Sequence, residues 1–103
     1  MKRETLQSID RSTRAGKKYM AVVRDNRTGA KRTLHFGAYD YEQYKDRTKL
    51  GAFSHKNHGD RSRQRNYYNR HSGTPNRAAA IRLEWDRSDG RYTPKLLSHI
   101  YLW

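Results

Sequence analysis

The chain has 103 residues, with 23 Lys or Arg against ten Asp or Glu, a formal net charge of +13 and no cysteine. One domain is the most that such a length normally builds. The lack of cysteine excludes disulfides and thiolate zinc sites, and a hydrophobic share of 33% with a mean hydropathy of −1.30 leaves material for only a thin core.

Residues 1–16 read as an extended basic arm carrying Lys2, Arg3, Arg11 and Arg14. Leu6 and Ile9, three apart, seat one helical turn at most, because Ser8, Asp10, Ser12, Thr13 and Gly16 oppose anything longer. No apolar run follows Met1-Lys2-Arg3-Glu4, so the start does not read as a secretory signal.

Residues 17–103 then read as one small domain, opening with a hairpin over about 17–36. The segment 17–25 alternates, with Tyr19, Ala21 and Val23 on one side and Met20 and Val22 on the other. Residues 26–29 form a turn, with Gly29 where a positive φ is needed. The return segment, 30–36, places Leu34 and Phe36 together. Two strands alone are marginal in water, so another element must cover one face.

Gly37 ends the strand. Asp40 can cap a short helix over about 40–46, which sets Tyr41 and Tyr44 on one face. Residues 50–59, with two glycines, read as a loop. Asp60 caps a helix over about 60–72 that stops at Gly73 and Pro75. That helix has no aliphatic stripe; its large rings are Tyr67 and Tyr68, among four arginines.

Periodicity does not decide 77–85. Three alanines argue for helix, and the alternation of Ile81, Leu83 and Trp85 argues for strand. Ser88-Asp89-Gly90 is a turn. Thr93-Pro94 is an N-cap and first-turn pair for a last helix over about 94–102, with Leu96, Leu97, Ile100 and Tyr101 as its apolar face. The longest apolar stretches, 19–23 and 96–103, fall far short of the ~20 residues of a membrane span. The expected architecture is α+β, a small β-hairpin packed by two or three short helices, with the basic arm extended from it.

Asp60, Arg63, Tyr67 and Arg70 share one face of the 60–72 helix. Arg pairs bidentately with phosphate or carboxylate and stacks on Tyr, so this face reads as anion-contacting. The same spacing also fits an internal network in which Asp60 pairs with Arg63 and Tyr67 packs inward. His55, His58 and His71 are weak metal candidates, since one isolated H-x-x-H pair lacks an accompanying glutamate. No nucleophile elbow, phosphate-binding glycine loop or apolar-flanked carboxylate pair is present, so catalysis has little support and no cofactor is implied.

The charge makes phosphate backbones natural partners, and the rings could stack bases. The cations are spread along the whole chain, with no recognition-helix or RNA-binding signature, so base-specific reading is not expected. Arg and Tyr are also favoured in protein interfaces. The apolar end, with Tyr101 and Trp103, either covers the hairpin or docks on a partner.

Several of these positions together resemble a small protein family of nucleocytoplasmic large DNA viruses, the giant viruses of algae and protists. They are Phe36-Gly37-Ala38, Tyr41 and Tyr44; His58, Asp60 and Arg63; Tyr67 with the adjacent Arg70-His71; and Ser98 with Leu102-Trp103. The family has no assigned activity, so the resemblance implies context: a virion, and the host cytoplasm or nucleus during assembly. The expectation is a non-catalytic minor capsid-associated protein that wedges between virion proteins. Its contacts would come from Arg3, Arg11, Arg14, Arg63, Tyr67, Arg70, Tyr101 and Trp103. The alternative is a sequence-nonspecific nucleic-acid binder or a ribonucleoprotein component.

Overall fold

Apolar alternation folds the first third of the chain into a three-stranded antiparallel meander of β1 (Glu4–Arg11), β2 (Lys17–Asp25) and β3 (Lys31–Ala38), with β2 central. The structure is a computed structural model that describes residues 2–103. The expected hairpin is β2 and β3, paired from Lys17↔Ala38 to Arg24↔Lys31. Gly29 takes φ +78 in its turn, where Asp25 accepts from the backbone N–H groups of Arg27 and Thr28.

The expected basic arm is instead largely a strand; its first residue lies outside the described residues. Glu4–Arg11 pairs along β2 from Glu4↔Asp25 to Arg11↔Tyr19, with a register shift between Leu6 and Ser8. In an unbroken strand, residues three apart face opposite ways. The bulge at Gln7 returns both Leu6 and Ile9 to the core face, opposite Val23 and Ala21. A bulged strand therefore imitates the spacing of a helical turn.

Glu4 fastens this strand to the rest of the molecule. Its side chain is 3% exposed and receives two parallel N–H bonds from Arg32 on β3, both 2.8 Å, plus the backbone N–H of Tyr92 at 2.8 Å. Arg32 also donates to the Tyr92 carbonyl at 2.7 Å. The Arg32 hydrogen bonds hold the Glu4 carboxyl below the usual range, against the opposing effect of burial.

The expected helix over 40–46 does not form. Residues 39–60 run irregularly, with a single 3-10 turn at Ser54–Lys56 and a parallel bridge between Gln43 and Asn57. The backbone donors that a helix would turn inward find tertiary acceptors. Lys45 donates to the Leu102 carbonyl, Arg47 to that of Tyr101, and Asp46 to the Asn57 side chain. The Asp46 carboxylate organises the segment by accepting from the Tyr19 hydroxyl, the Thr48 hydroxyl and N–H, and the Phe53 N–H.

Three helices follow: α1 (Arg61–Ser72), α2 (Arg77–Arg87) and α3 (Pro94–Tyr101). Asp60 caps α1 by accepting from the N–H groups of Ser62 and Arg63, and Gly73 closes it at φ +75. Thr93 caps α3 ahead of Pro94. The undecided stretch 77–85 lies in α2, capped by Asn76, because Ala80 is small enough to bury against Tyr67 and Tyr68.

The inner sheet face buries Tyr19, Ala21, Val23 and Phe36 beneath Phe53, Tyr92, Leu97 and Leu102. Gly37, at φ +81, lets Leu102 approach the strand; a Cβ there would lie 2.8 Å from its Cδ1. A second cluster joins Tyr67, Tyr68 and Ala80, and Trp103 packs against both.

His99, fully buried, ties α1, α2 and α3 together. The Ser72 hydroxyl donates to Glu84 at 2.8 Å, so its lone pairs face His99 Nε2, also at 2.8 Å. Nε2 therefore carries the ring proton, and Nδ1 accepts from the Tyr67 hydroxyl at 2.9 Å. Tyr68 donates to the His99 carbonyl at 2.8 Å. Burial is the main cause that pushes the His99 pKa down to about 4, so the ring is neutral at neutral pH.

Two outcomes follow from these anchors. Glu4→Ala strands Arg32 and the Tyr92 N–H, and is expected to lower the unfolding free energy by about 2 kcal/mol; urea denaturation measures this, and a free arm would show no loss. His99 binds its proton at about pH 4 folded and about pH 6.5 unfolded. The unfolded chain therefore takes up more protons between those values, and stability falls as pH drops through that window. The expected loss is about 1–3 kcal/mol, read from urea midpoints across the window, and His99→Gln should flatten it.

Candidate anion-binding groove

The C-terminal half of α1, the first turn of α3 and the open end of the β2–β3 pair do not close on one another. They leave a groove of about 620 Å³. Its cations come from three elements: Lys17 and Lys18 on β2, Arg70 on α1 and Lys95 on α3. Among the described residues its one lining carboxylate is Glu42, which Arg63 engages at 3.0 Å. Lys95 donates to the His71 carbonyl at 3.3 Å and lies 3.9 Å from Glu84.

Aromatic side chains pack beside these cations. Tyr67 and Trp103 stack at 4.2 Å with an interplanar angle of 3°. His71 packs against Tyr67 at 4.5 Å, and His58 against Trp103 at 5.3 Å. Burial raises the Tyr67 phenol, which stays a neutral donor to His99. Tyr41 stands apart: it is 73% exposed, and its ring pairs with no other among the described residues.

Lys18 is 2% exposed. Its ammonium donates to the Tyr41 carbonyl at 2.5 Å and to Gln43 Oε1 at 2.6 Å, two neutral acceptors. Burial, and then the like charge of Lys56, lower its pKa to about 8, so it remains charged at neutral pH.

Of the residues singled out from sequence, the groove gathers Tyr67, Arg70, His71 and Trp103. Tyr67 takes the inward reading: it is core, not surface. Arg63 is exposed beside the groove and pairs with Glu42 rather than Asp60. Tyr101 is half-buried against Phe36. Arg3, Arg11 and Arg14 lie elsewhere: Arg3 pairs with Asp89 at 3.0 Å, Arg11 sits 5.6 Å over the Phe53 ring, and Arg14 is exposed in the β1–β2 turn.

His55 is exposed beside Phe53, and His58 accepts the Asp60 backbone N–H through Nδ1. Among the described residues, no group of three or more His, Asp or Glu is placed to hold a metal ion. The sequence reading missed Lys17, Lys18, Tyr41 and Lys95 as neighbours of Arg70. The alternation along β2 sends Lys18 away from Tyr19, and nothing in that pattern announces its burial.

A family model described as a family of unknown function, DUF5754, matches residues 7–47, which takes in most of β1, all of β2 and β3, and the segment up to Arg47. The match stops before the three helices. No curated protein and no solved structure matches the chain.

Proposed function

We propose that this protein is a non-catalytic, sequence-nonspecific binder of nucleic-acid backbones. The observation that supports this most is the imbalance left on the folded surface. Five ion pairs form among the described residues, engaging Arg3, Arg32, Arg63, Arg87 and Lys95. Most of the 23 Lys and Arg side chains have no such partner. Cations of this kind attract phosphates and gain from counterion release.

A wedge between virion proteins would add Tyr67, Tyr101 and Trp103 to its arginine contacts, and this fold buries Tyr67 and half-buries Tyr101 and Trp103 against its own core. The cationic surface is what remains on offer, so the nucleic-acid reading is preferred to the capsid one.

Ser72, His99 and Glu84 bring together the residue types of a hydrolytic triad, but in the wrong order. The Ser72 proton goes to Glu84, and His99 Nε2–H points at Ser72 as a donor. The imidazole cannot act as base towards that hydroxyl. The group is also closed off, with Ser72 and His99 both buried. It serves as a structural network.

Titration of labelled oligonucleotides by fluorescence anisotropy tests the proposal. Engagement of about five phosphates predicts a log Kd against log[salt] slope of magnitude about 4, with affinities differing little between scrambled sequences. A flat salt response would sink the reading. So would retention on virion shells, rather than with the genome, in high salt.

A further inference from the structure

The groove carries more than general positive charge. We propose that it holds a single-stranded nucleic-acid segment, with one base stacked on Tyr41 and the flanking phosphates on Lys17 and Arg70. The assignment rests on the nucleic-acid reading above and narrows it to one strand form and one place.

Three features support it independently. The first is shape. A groove of about 620 Å³ falls within the ~300–1,000 Å³ range of ligand clefts, whereas a flat charged face would offer no recess. The second is an aromatic surface without a structural task. Tyr41 is 73% exposed and unpaired by another ring, while its neighbours Tyr67 and Trp103 are committed to each other. A base has a π-face to place on such a ring once it is out of a duplex stack. In a duplex, the bases are stacked and paired, and the ring has nothing to meet.

The third feature is the buried ammonium. Lys18 lines the groove, is 2% exposed, and has only a carbonyl and an amide oxygen as partners. No carboxylate is within ion-pair reach of it among the described residues. A buried charge without a counter-charge is costly. A phosphate in the groove supplies that counter-charge, and the hydrogen bond that the Tyr41 carbonyl accepts from Lys18 fixes the backbone from which the Tyr41 ring projects.

The test uses the full chain and three fluorescent probes: a twelve-residue deoxythymidine strand, a duplex of the same length, and polyglutamate of similar charge. Tyr41→Ala is expected to weaken single-strand binding about 5- to 50-fold, the scale of one lost base–ring stack, with duplex binding changed less than about twofold. Tyr41→Phe should restore the affinity, since stacking needs the ring and not the hydroxyl. Arg70→Gln with Lys17→Gln should weaken single-strand binding and lower the salt slope by about two contacts.

Should Tyr41→Ala leave the single strand bound as before, or weaken all three probes alike, the groove assignment is overturned while nonspecific backbone binding stands. Polyglutamate binding as tightly as the single strand would also overturn it, in favour of an acidic protein partner. If the wild-type chain binds none of the probes at low salt, the nucleic-acid reading itself fails.

Discussion

The fold depends on buried polar side chains, each of which organises several neighbours at once. A chain with so few aliphatic residues cannot fill its interior with hydrocarbon alone. Asp46, Glu4 and His99 take up the deficit. Asp46 accepts four hydrogen bonds, one from Tyr19 on β2 and three from within the irregular segment 39–60. Those bonds keep its carboxyl below its ordinary range although burial, the largest single influence, pushes the other way. Glu4 joins both outer strands to Tyr92 in the link between α2 and α3, and His99 joins three helices. Hubs of this kind are costly when half-satisfied and specifying when complete. They also make the fold cooperative, since no one of these elements packs well without its partners.

The same economy shapes the surface. α1 carries almost no aliphatic side chains; it is held by Tyr67 and Tyr68, whose rings supply area and whose hydroxyls satisfy His99. Two successive tyrosines cover a wide arc of the helix, and the arginines on the rest of its circumference face solvent. Arg47 in the irregular segment and Arg77 at the start of α2 instead turn towards the end of α3, where Arg77 donates to the Ile100 carbonyl and Arg47 to that of Trp103. Cations there complement the negative end of the helix. Structural arginines and available arginines therefore differ by whether a backbone carbonyl or a carboxylate lies within reach after folding.

That distinction explains how much could be read in advance. The β2–β3 hairpin was legible because strict alternation and a glycine turn are local signals. The starts of α1 and α3 were legible because Asp60 and Thr93-Pro94 act within one turn. β1 was hidden by its own bulge, which gives Leu6 and Ile9 the spacing of a helix. The 40–46 segment was hidden because its backbone donors are claimed by residues as distant as Leu102. α2 was ambiguous because its helix-forming alanines and its alternating apolar residues overlap. Of the groove, Arg70 and its neighbours on α1 were visible, but Lys17 and Lys95 reach it only through tertiary folding.

Tyr67 is where the interior and the groove meet. Its hydroxyl is fixed by His99, whose other nitrogen is fixed by Ser72 and, through it, by Glu84. Its ring in turn fixes the plane of Trp103. The Tyr67 ring therefore cannot leave the groove wall without breaking a buried chain of hydrogen bonds. Rigid surfaces lose little conformational freedom on binding. Lys18 is likewise held by two hydrogen bonds, whereas Arg70 is exposed and loses more freedom on contact. A groove with Tyr67 fixed in its wall and cations from three elements suits a ligand whose charge repeats along a backbone. On the proposed reading, contacts to a repeating backbone charge would not depend on which base lies where, which accounts for the expected lack of sequence preference.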